Sequence, residues 1–207
     1  MDSLPLPDLL PSGAKHIDVA HISSNIEELL NPHIKTATER GHQIVVKVVG
    51  GDVPNLVQEN YNGWRVLLSQ WLSTGVDVEY LALGCPEHLE STKRVCSALL
   101  ASCEDRKGKL ALFTPALESQ EDEDVRGLLQ DLIHEHLESH FLLAIDLHDP
   151  AGSQMWVENE HKPGDTNAND CYYYRPGVAA KSPEFVQNRL NFEFLKGASE
   201  EVVVTPA

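Results

Sequence analysis

Residues 43–49 read Gln-Ile-Val-Val-Lys-Val-Val, a nearly continuous run of β-branched side chains. A strand with one wet face alternates polar and apolar residues, whereas an uninterrupted apolar run is typical of a strand covered on both faces. Such strands occur mainly in parallel sheets flanked by helices. The run therefore predicts a central strand of an α/β sheet, and Gly50-Gly51-Asp52 predicts a turn directly after it.

Strand-like and helical segments alternate on both sides of this run. The spacing of Trp64, Leu67, Leu68, Trp71 and Leu72 predicts an amphipathic helix that ends at Gly75. Pro32 lies inside another apolar stripe and predicts a kink or a split there. The full pattern predicts strands at 16–22, 76–83, 109–113 and 141–147, and helices around 26–37, 64–72, 86–103 and 125–137.

After residue 147 the pattern changes to two short strands, 154–158 and 170–174, around a polar loop. Ser182 then predicts the N-cap of a last helix, with Pro183 in its first turn. We expect an α/β fold, a three-layer sandwich around a mainly parallel sheet with antiparallel edge strands. The expected organisation is an irregular lead-in at 1–14, a single domain at 15–197 and a C-terminal tail at 198–207.

Composition narrows the partners of this 207-residue chain. Sixteen basic and 32 acidic residues give a net charge of −16. A surface this acidic repels phosphate, so we expect no binding of nucleic acid through the overall surface and none of anionic membranes.

The first residues, Met1 to Pro5, lack the basic and apolar regions of a secretory signal. The four cysteines form no C-x-x-C pair. We therefore expect a cytoplasmic protein with reduced thiols that pack as small apolar groups.

The order of elements resembles the phospholipase D-like fold, which includes non-catalytic binding proteins. Phe141-Leu-Leu-Ala-Ile-Asp146 resembles the strand K-F-x-x-x-D that carries the active site of that family. The segments around Glu39-Arg40-Gly41 and Leu72-Ser-Thr-Gly-Val76 resemble its helix-to-strand junctions, and the helix that contains Phe185, Phe192, Phe194 and Leu195 resembles its closing helix. The resemblance covers most of residues 16–196 and implies a ligand site at the carboxyl ends of the strands.

The catalytic motif of that family, H-x-K-x4-D, is absent from this sequence. Glu138-Ser139-His140 occupies the matching place. A carboxylate there repels a substrate phosphate, and no cation remains to hold one. The resemblance therefore implies a non-catalytic domain. We expect Glu138, His140, Trp156, Glu158 and His161 to bind a small molecule or a protein partner, without a cofactor.

The acidic and aromatic residues around 156–174 leave a second interpretation open. On a strand, Trp156, Glu158 and Glu160 share one face, and an aromatic face beside acids suits a cationic or polar organic ligand. The same residues also suit a solvated sheet edge, where charge discourages aggregation.

Two alternative functions compete with ligand binding. Histidines and acids cluster near the fifth strand, and His136, His140, His148 and Asp149 could hold a divalent metal that activates water in a hydrolase. Against this, His136 lies on the apolar stripe of its helix, where a hydrogen-bonded core histidine is the common outcome. The third hypothesis is a homodimeric interaction module whose exposed aromatic strand, Cys171 to Tyr174, forms the interface.

Overall fold

The computed structural model describes residues 14–17, 22–50, 62–84, 86–103, 105–159 and 170–205. Six helices occur in these ranges: α1 (Ile22–Leu29), α2 (Asn31–Glu39), α3 (Asn62–Thr74), α4 (Pro86–Ala101), α5 (Glu123–Glu138) and α6 (Pro183–Gly197). Eight strands occur with them: β1 (Lys15–Ile17), β2 (Ile44–Gly50), β3 (Asp77–Ala82), β4 (Leu110–Pro115), β5 (Ser139–Asp146), β6 (Gln154–Asn159), β7 (Asp170–Tyr174) and β8 (Ser199–Val202).

All eight strands belong to one mixed sheet with the order β1-β7-β6-β5-β2-β3-β4-β8. Among the described strands, β2–β3 and β3–β4 are the parallel pairs, and the other five neighbouring pairs are antiparallel. The expected α/β class is confirmed. The expectation of a mainly parallel sheet is wrong, because antiparallel pairing begins at β2–β5 in the centre of the sheet and is not restricted to its edges.

Helices cover both faces of the sheet and create two cores. On one face, side chains of α1 to α4, such as Ile26, Trp71 and Leu99, pack on Val46 and Leu142. On the other face, Leu129 of α5 and Phe192 of α6 belong to the core that contains Val49 and Leu143. The protein is thus a three-layer sandwich. Alternation along β2 places Val46 in one core and Val49 in the other, which is why the strand is apolar along nearly its whole length.

Local signals explain how several elements begin and end. The helix is interrupted at Leu30, between α1 and α2, and Pro32 lies in the first turn of α2. The fixed φ and the missing N–H of proline predict such a split. Ser182 caps α6 by accepting a hydrogen bond from the backbone N–H of Phe185, 3.0 Å away. Cys96, Cys103 and Cys171 are buried, and burial raises the pKa of Cys96 to about 11.

The two ends of the sheet bear on the expected boundaries. β1 spans Lys15–Ile17 and Ile22 already belongs to α1, while residues 18–21 of the expected first strand lie outside the described part of the chain. At the other end, Ser199–Val202 within the expected tail form β8, which pairs with β4. Within the described residues, no helix combines the length and apolar character that a membrane span requires.

Candidate functional site

The site predicted from the sequence lies where parallel and antiparallel strands meet. Because β2, β3 and β4 are parallel, their carboxyl ends lie at one edge of the sheet. β5 runs in the opposite direction, so its first residues reach the same edge, with Phe141 opposite Val49. β6 is antiparallel to β5, and its last residues return there. We call this edge, formed by the ends of β2 and β6 and the start of β5, the carboxyl edge.

His140 and Glu158 face each other across two neighbouring strands at the carboxyl edge. They are register partners on β5 and β6, and both are half-buried. Register partners in an antiparallel pair lie on the same face, with Cβ atoms about 4.5–5.5 Å apart. Trp156, two residues before Glu158, lies on that face as well. The structure therefore brings three of the five predicted ligand-binding residues together.

The other two predicted ligand-binding residues, Glu138 and His161, cannot be located in this way. Glu138 is the last residue of α5 and lies two residues before His140, but its side chain is outside the described part of the structure. His161 belongs to residues 160–169, which also lie outside it. Both residues stay predictions.

Trp156 carries the most informative polar atom of this region. Its side chain is buried in the first core, with 3% of the residue exposed, and it pairs in register with Leu142 and Tyr173. The Nε1–H group is buried and has no hydrogen-bond acceptor in the described structure. An unsatisfied buried donor costs about 1–3 kcal/mol, and native proteins rarely keep one without a reason. A ligand oxygen or nitrogen next to the indole would satisfy it.

His136, one of the predicted metal ligands, is a buried core residue. Its Nδ1 lies 3.2 Å from the backbone oxygen of Ser139, and its Nε2 lies 3.0 Å from Nδ2 of Asn191. The amide of Asn191 is oriented by Gln187, whose Nε2 donates to Asn191 Oδ1 at 2.7 Å. Asn191 therefore donates to Nε2, and His136 is the neutral tautomer that donates from Nδ1 to Ser139. Both ring nitrogens are occupied, so neither has a lone pair available for a metal.

The other predicted metal ligands are not brought together either. His140 lies at the start of β5, whereas His148 and Asp149 follow its end, and eight residues of strand span more than about 20 Å. Within the described ranges, no group of three or more His, Cys, Asp or Glu side chains could hold a metal ion. The four residues proposed for a hydrolase thus occupy opposite edges of the sheet.

A buried aspartate that was not among the predicted site residues organises this second edge. Asp146, the last residue of β5, is 4% exposed and lies 2.8 Å through Oδ2 from Nδ1 of His42. Its Oδ1 accepts the backbone N–H groups of His148 and Asp149. Burial raises the pKa of Asp146, but these hydrogen bonds, led by that of His42, outweigh burial and hold the pKa below its ordinary value of 3.8.

The two histidines beside Asp146 have complementary tautomers. His42 donates from Nδ1 to the carboxylate of Asp146, which leaves its Nε2 as an acceptor when the ring is neutral. His148 accepts the backbone N–H of Gln43 at Nδ1, so its proton lies on Nε2. The rings stack with centroids 5.3 Å apart. The cluster can orient a proton acceptor beside a proton donor, but it also has a plain structural role, because it joins the start of β2 to the end of β5.

A second missed group is an ion network on the face covered by α6. Lys47 of β2 is 8% exposed, and its Nζ lies 2.5 Å from Glu79 of β3 and 2.8 Å from Glu193 of α6. Lys196 of α6 also binds Glu79, at 2.6 Å. Burial raises the pKa of Glu79, yet its hydrogen bonds with Lys196 and Lys47 lower it overall. The lone lysine in the apolar run 43–49 was the available sequence signal for this network.

No family model matches the chain, and no curated protein is similar to it in sequence at a significant level.

Proposed function

We propose that this protein is a non-catalytic, phospholipase D-like domain that binds a small polar ligand at the carboxyl edge. The observation that carries the proposal is the buried indole N–H of Trp156, which lacks an acceptor among the described residues. It lies on the same face as His140 and Glu158, in the region where the resemblance implies a ligand site. A ligand that accepts a hydrogen bond from the indole would remove the cost of burying this donor.

The neighbouring side chains define the chemistry of the ligand. Trp156 requires an acceptor such as a carbonyl or hydroxyl oxygen. Glu158 favours a hydrogen-bond donor or a positive charge in the same ligand, because the carboxylate of Glu158 would repel a ligand anion. A small polar organic compound with both an oxygen acceptor and an amino group fits this pair, whereas a phosphodiester does not.

The sequence at the carboxyl edge supports binding without catalysis. Glu138-Ser139-His140 stands where the resemblance places a nucleophilic histidine and a phosphate-binding lysine. The hydrolase alternative has less support, because its four residues lie at opposite edges of the sheet and both nitrogens of His136 are occupied. A cytoplasmic location is supported by the buried thiols of Cys96 and Cys103, which form no disulfide and suit a reducing compartment.

A thermal-shift screen tests this proposal. The probes are small hydroxy and carbonyl compounds, each compared with its amino-bearing analogue, such as glycerol with serinol and acetamide with glycinamide. We expect amino-bearing probes to raise the melting temperature of the wild type, since binding to the folded state alone stabilises it. The variant Trp156→Phe, which keeps an aromatic ring and deletes the N–H, should lose most of the shift.

Trp71→Phe provides the matched control. Trp71 is also buried in the same core, but its Nε1 already donates a hydrogen bond to Asn31 Oδ1 at 3.0 Å and needs no ligand acceptor. This variant should keep the ligand-induced shift of the wild type. An equal shift in Trp156→Phe, or a wild type that no probe stabilises, would refute the proposed site.

A further inference from the structure

The solvent-facing side of α6 carries an apolar stripe. Val186, Leu190 and Phe194 are spaced four residues apart, which places them along one side of the helix. They are 50%, 60% and 39% exposed, although Phe192 on the opposite side is completely buried. A solvated helix normally turns polar side chains outward, so this stripe is unexpected on a free surface.

Charge distinguishes α6 from α5, its neighbour on the same face of the sheet. The helix contains two acidic and two basic residues, so its net charge is zero. α5, which covers the same face of the sheet, contains five acidic residues and one arginine. In a chain with a net charge of −16, α6 is a surface on which a second copy can approach with little local repulsion.

We infer that α6 forms a homodimer interface with α6 of a second copy, in an antiparallel arrangement about a two-fold axis near Leu190. Such an interface is isologous, so each contact occurs twice. Leu190 then packs on the partner's Leu190, and Val186 packs on the partner's Phe194. Arg189 and Glu193 lie on the same side of the stripe. With a helical rise of 1.5 Å per residue, Arg189 is offset by only about 3 Å along the axis from the partner's Glu193.

The charges that border the stripe fit this arrangement. Arg189 is exposed and makes no ion pair within the described part of one copy. Glu193 bonds Lys47, but half of its side chain is exposed and can accept a second cation. The antiparallel geometry pairs each Arg189 with the partner's Glu193. In a parallel arrangement, each Arg189 would lie on the opposite side of the seam from the partner's Glu193, and this pairing would be lost.

The area buried between the two helices sets the expected affinity of the dimer. One pair of helices buries less than the roughly 1,600 Å² of a standard specific interface. We therefore expect a concentration-dependent dimer and not a permanent one. The interface is separate from the carboxyl edge and from the ligand site proposed there, and the two proposals stand or fall independently.

Sedimentation equilibrium of the full chain tests the interface. The wild type should have the 22.9 kDa mass of a monomer at about 5 µM and approach twice that mass near about 500 µM. Leu190→Glu should raise the dissociation constant at least about tenfold, because the dimer would bury two facing carboxylates. Leu128→Glu on α5 is the matched control, since Leu128 is 52% exposed and lies off the stripe.

A charge exchange tests the antiparallel register. Arg189→Glu and Glu193→Arg should each weaken self-association, because each homodimer would face like charges. An equimolar mixture should restore dimers, since every pair in the heterodimer is then of opposite charge. Circular dichroism establishes whether each variant is folded. If Glu193→Arg does not fold, the Leu190→Glu variant tests the interface by itself. A wild type that stays monomeric at the highest concentration, an unaffected Leu190→Glu variant, or a mixture that fails to associate would overturn the inference.

Discussion

His42 and Asp146 join the start of β2 to the end of β5, with 2.8 Å between Nδ1 and Oδ2. The two residues are 104 positions apart in the sequence, and they meet because the two strands are antiparallel. The same carboxylate accepts two backbone N–H groups from the turn that follows β5. Oδ1 of Asp146 thus fixes the turn, while Oδ2 orients the imidazole of His42.

Asp146→Asn should lower the free energy of unfolding at pH 7 by about 1–3 kcal/mol, because a carboxylate acceptor next to His42 is replaced by an amide. The pKa of Asp146 is depressed in the folded state. The contribution of the carboxylate is therefore complete above the unfolded pKa and is lost as the pH falls through the folded pKa. Urea unfolding at a series of pH values should show the difference between wild type and variant shrinking below about pH 4.

Asp131→Asn is the control for that series, because Asp131 is exposed on α5. This variant should differ little from the wild type at any pH. A difference between wild type and Asp146→Asn that stays constant down to pH 2 would show that the ionised carboxylate is not the source of the stability.

His136 predicts a second pH dependence, in a different range. Burial lowers the pKa of His136 below 6.5, against smaller opposing contributions from the hydrogen bond to Ser139 and the charge of Glu135. The unfolded chain then binds a proton at a higher pH than the folded protein does. Stability is complete above the unfolded pKa and falls as the pH drops from about 6.5 toward the folded pKa. Urea unfolding between pH 7.5 and 5 measures this loss.

His136→Gln should be less stable than the wild type at pH 7.5, and its stability should change less over that interval. His33→Gln provides the comparison, because His33 is an exposed side chain on α2 and its replacement should leave the slope unchanged. A slope that His136→Gln leaves intact would assign the pH dependence to another group.

Two buried tryptophans should respond differently to the loss of their N–H groups. Trp71 donates to Asn31, whereas Trp156 has no acceptor in the described structure. Replacement by Phe removes similar volume from the same core at both sites, and at Trp156 it also removes an unsatisfied donor. We expect Trp71→Phe to be more destabilising than Trp156→Phe by about 1–3 kcal/mol in ligand-free protein, measured by urea unfolding. Equal losses would mean that the indole of Trp156 is already satisfied.

The ion network beneath α6 should depend on its shared acid. Glu79 binds both Lys47 and Lys196, so Glu79→Gln leaves two partly buried ammonium groups with one fewer counter-charge. We expect a loss of about 2 kcal/mol or more in the free energy of unfolding. Glu39→Gln is the surface comparison, because Glu39 lies 4.0 Å from Lys35 and both side chains are mostly exposed. That variant should change stability by less than about 0.5 kcal/mol. Equal effects would show that burial adds nothing to the network.

Hydrophobic periodicity was sufficient to predict most helices and strands, but not the direction of β5. A strand covered by helices on both faces is apolar along its length whether its neighbours are parallel or antiparallel. The run at 141–147 therefore has the same pattern in either topology. The strand Cys171 to Tyr174 was predicted to be an exposed interface, yet β7 lies between β1 and β6, and Cys171, Tyr173 and Tyr174 are buried. Its aromatic side chains contribute to the two cores.

The predicted site depends on topology in the same way. His140, Trp156 and Glu158 could be grouped from the sequence because adjacent strands of a meander preserve local register. His42 and Asp146 could not be grouped, since their contact requires β5 to lie antiparallel beside β2. Lys47 stood out in an apolar run, but its partner Glu79 follows from the β2–β3 register, which periodicity does not specify.

Gly108 and Gly127 predict opposite effects of the same substitution. A Cβ at Gly108 would lie 2.0 Å from the backbone oxygen of Val76, and the Gly108 N–H donates to Leu72 O at 2.8 Å, so neither backbone can move away cheaply. We expect Gly108→Ala to cost about 3 kcal/mol, the upper part of the range for overpacking. Gly127 lies inside α5 with no atom within 4 Å of its added Cβ. There, alanine should stabilise the protein by about 0.5–1 kcal/mol, because it lowers the backbone entropy lost on folding. Chemical denaturation of both variants measures the difference. A mild effect of Gly108→Ala would show that the approach of residue 108 to Val76 is looser than the structure places it, whereas a destabilising Gly127→Ala would mean that something packs against that face of α5.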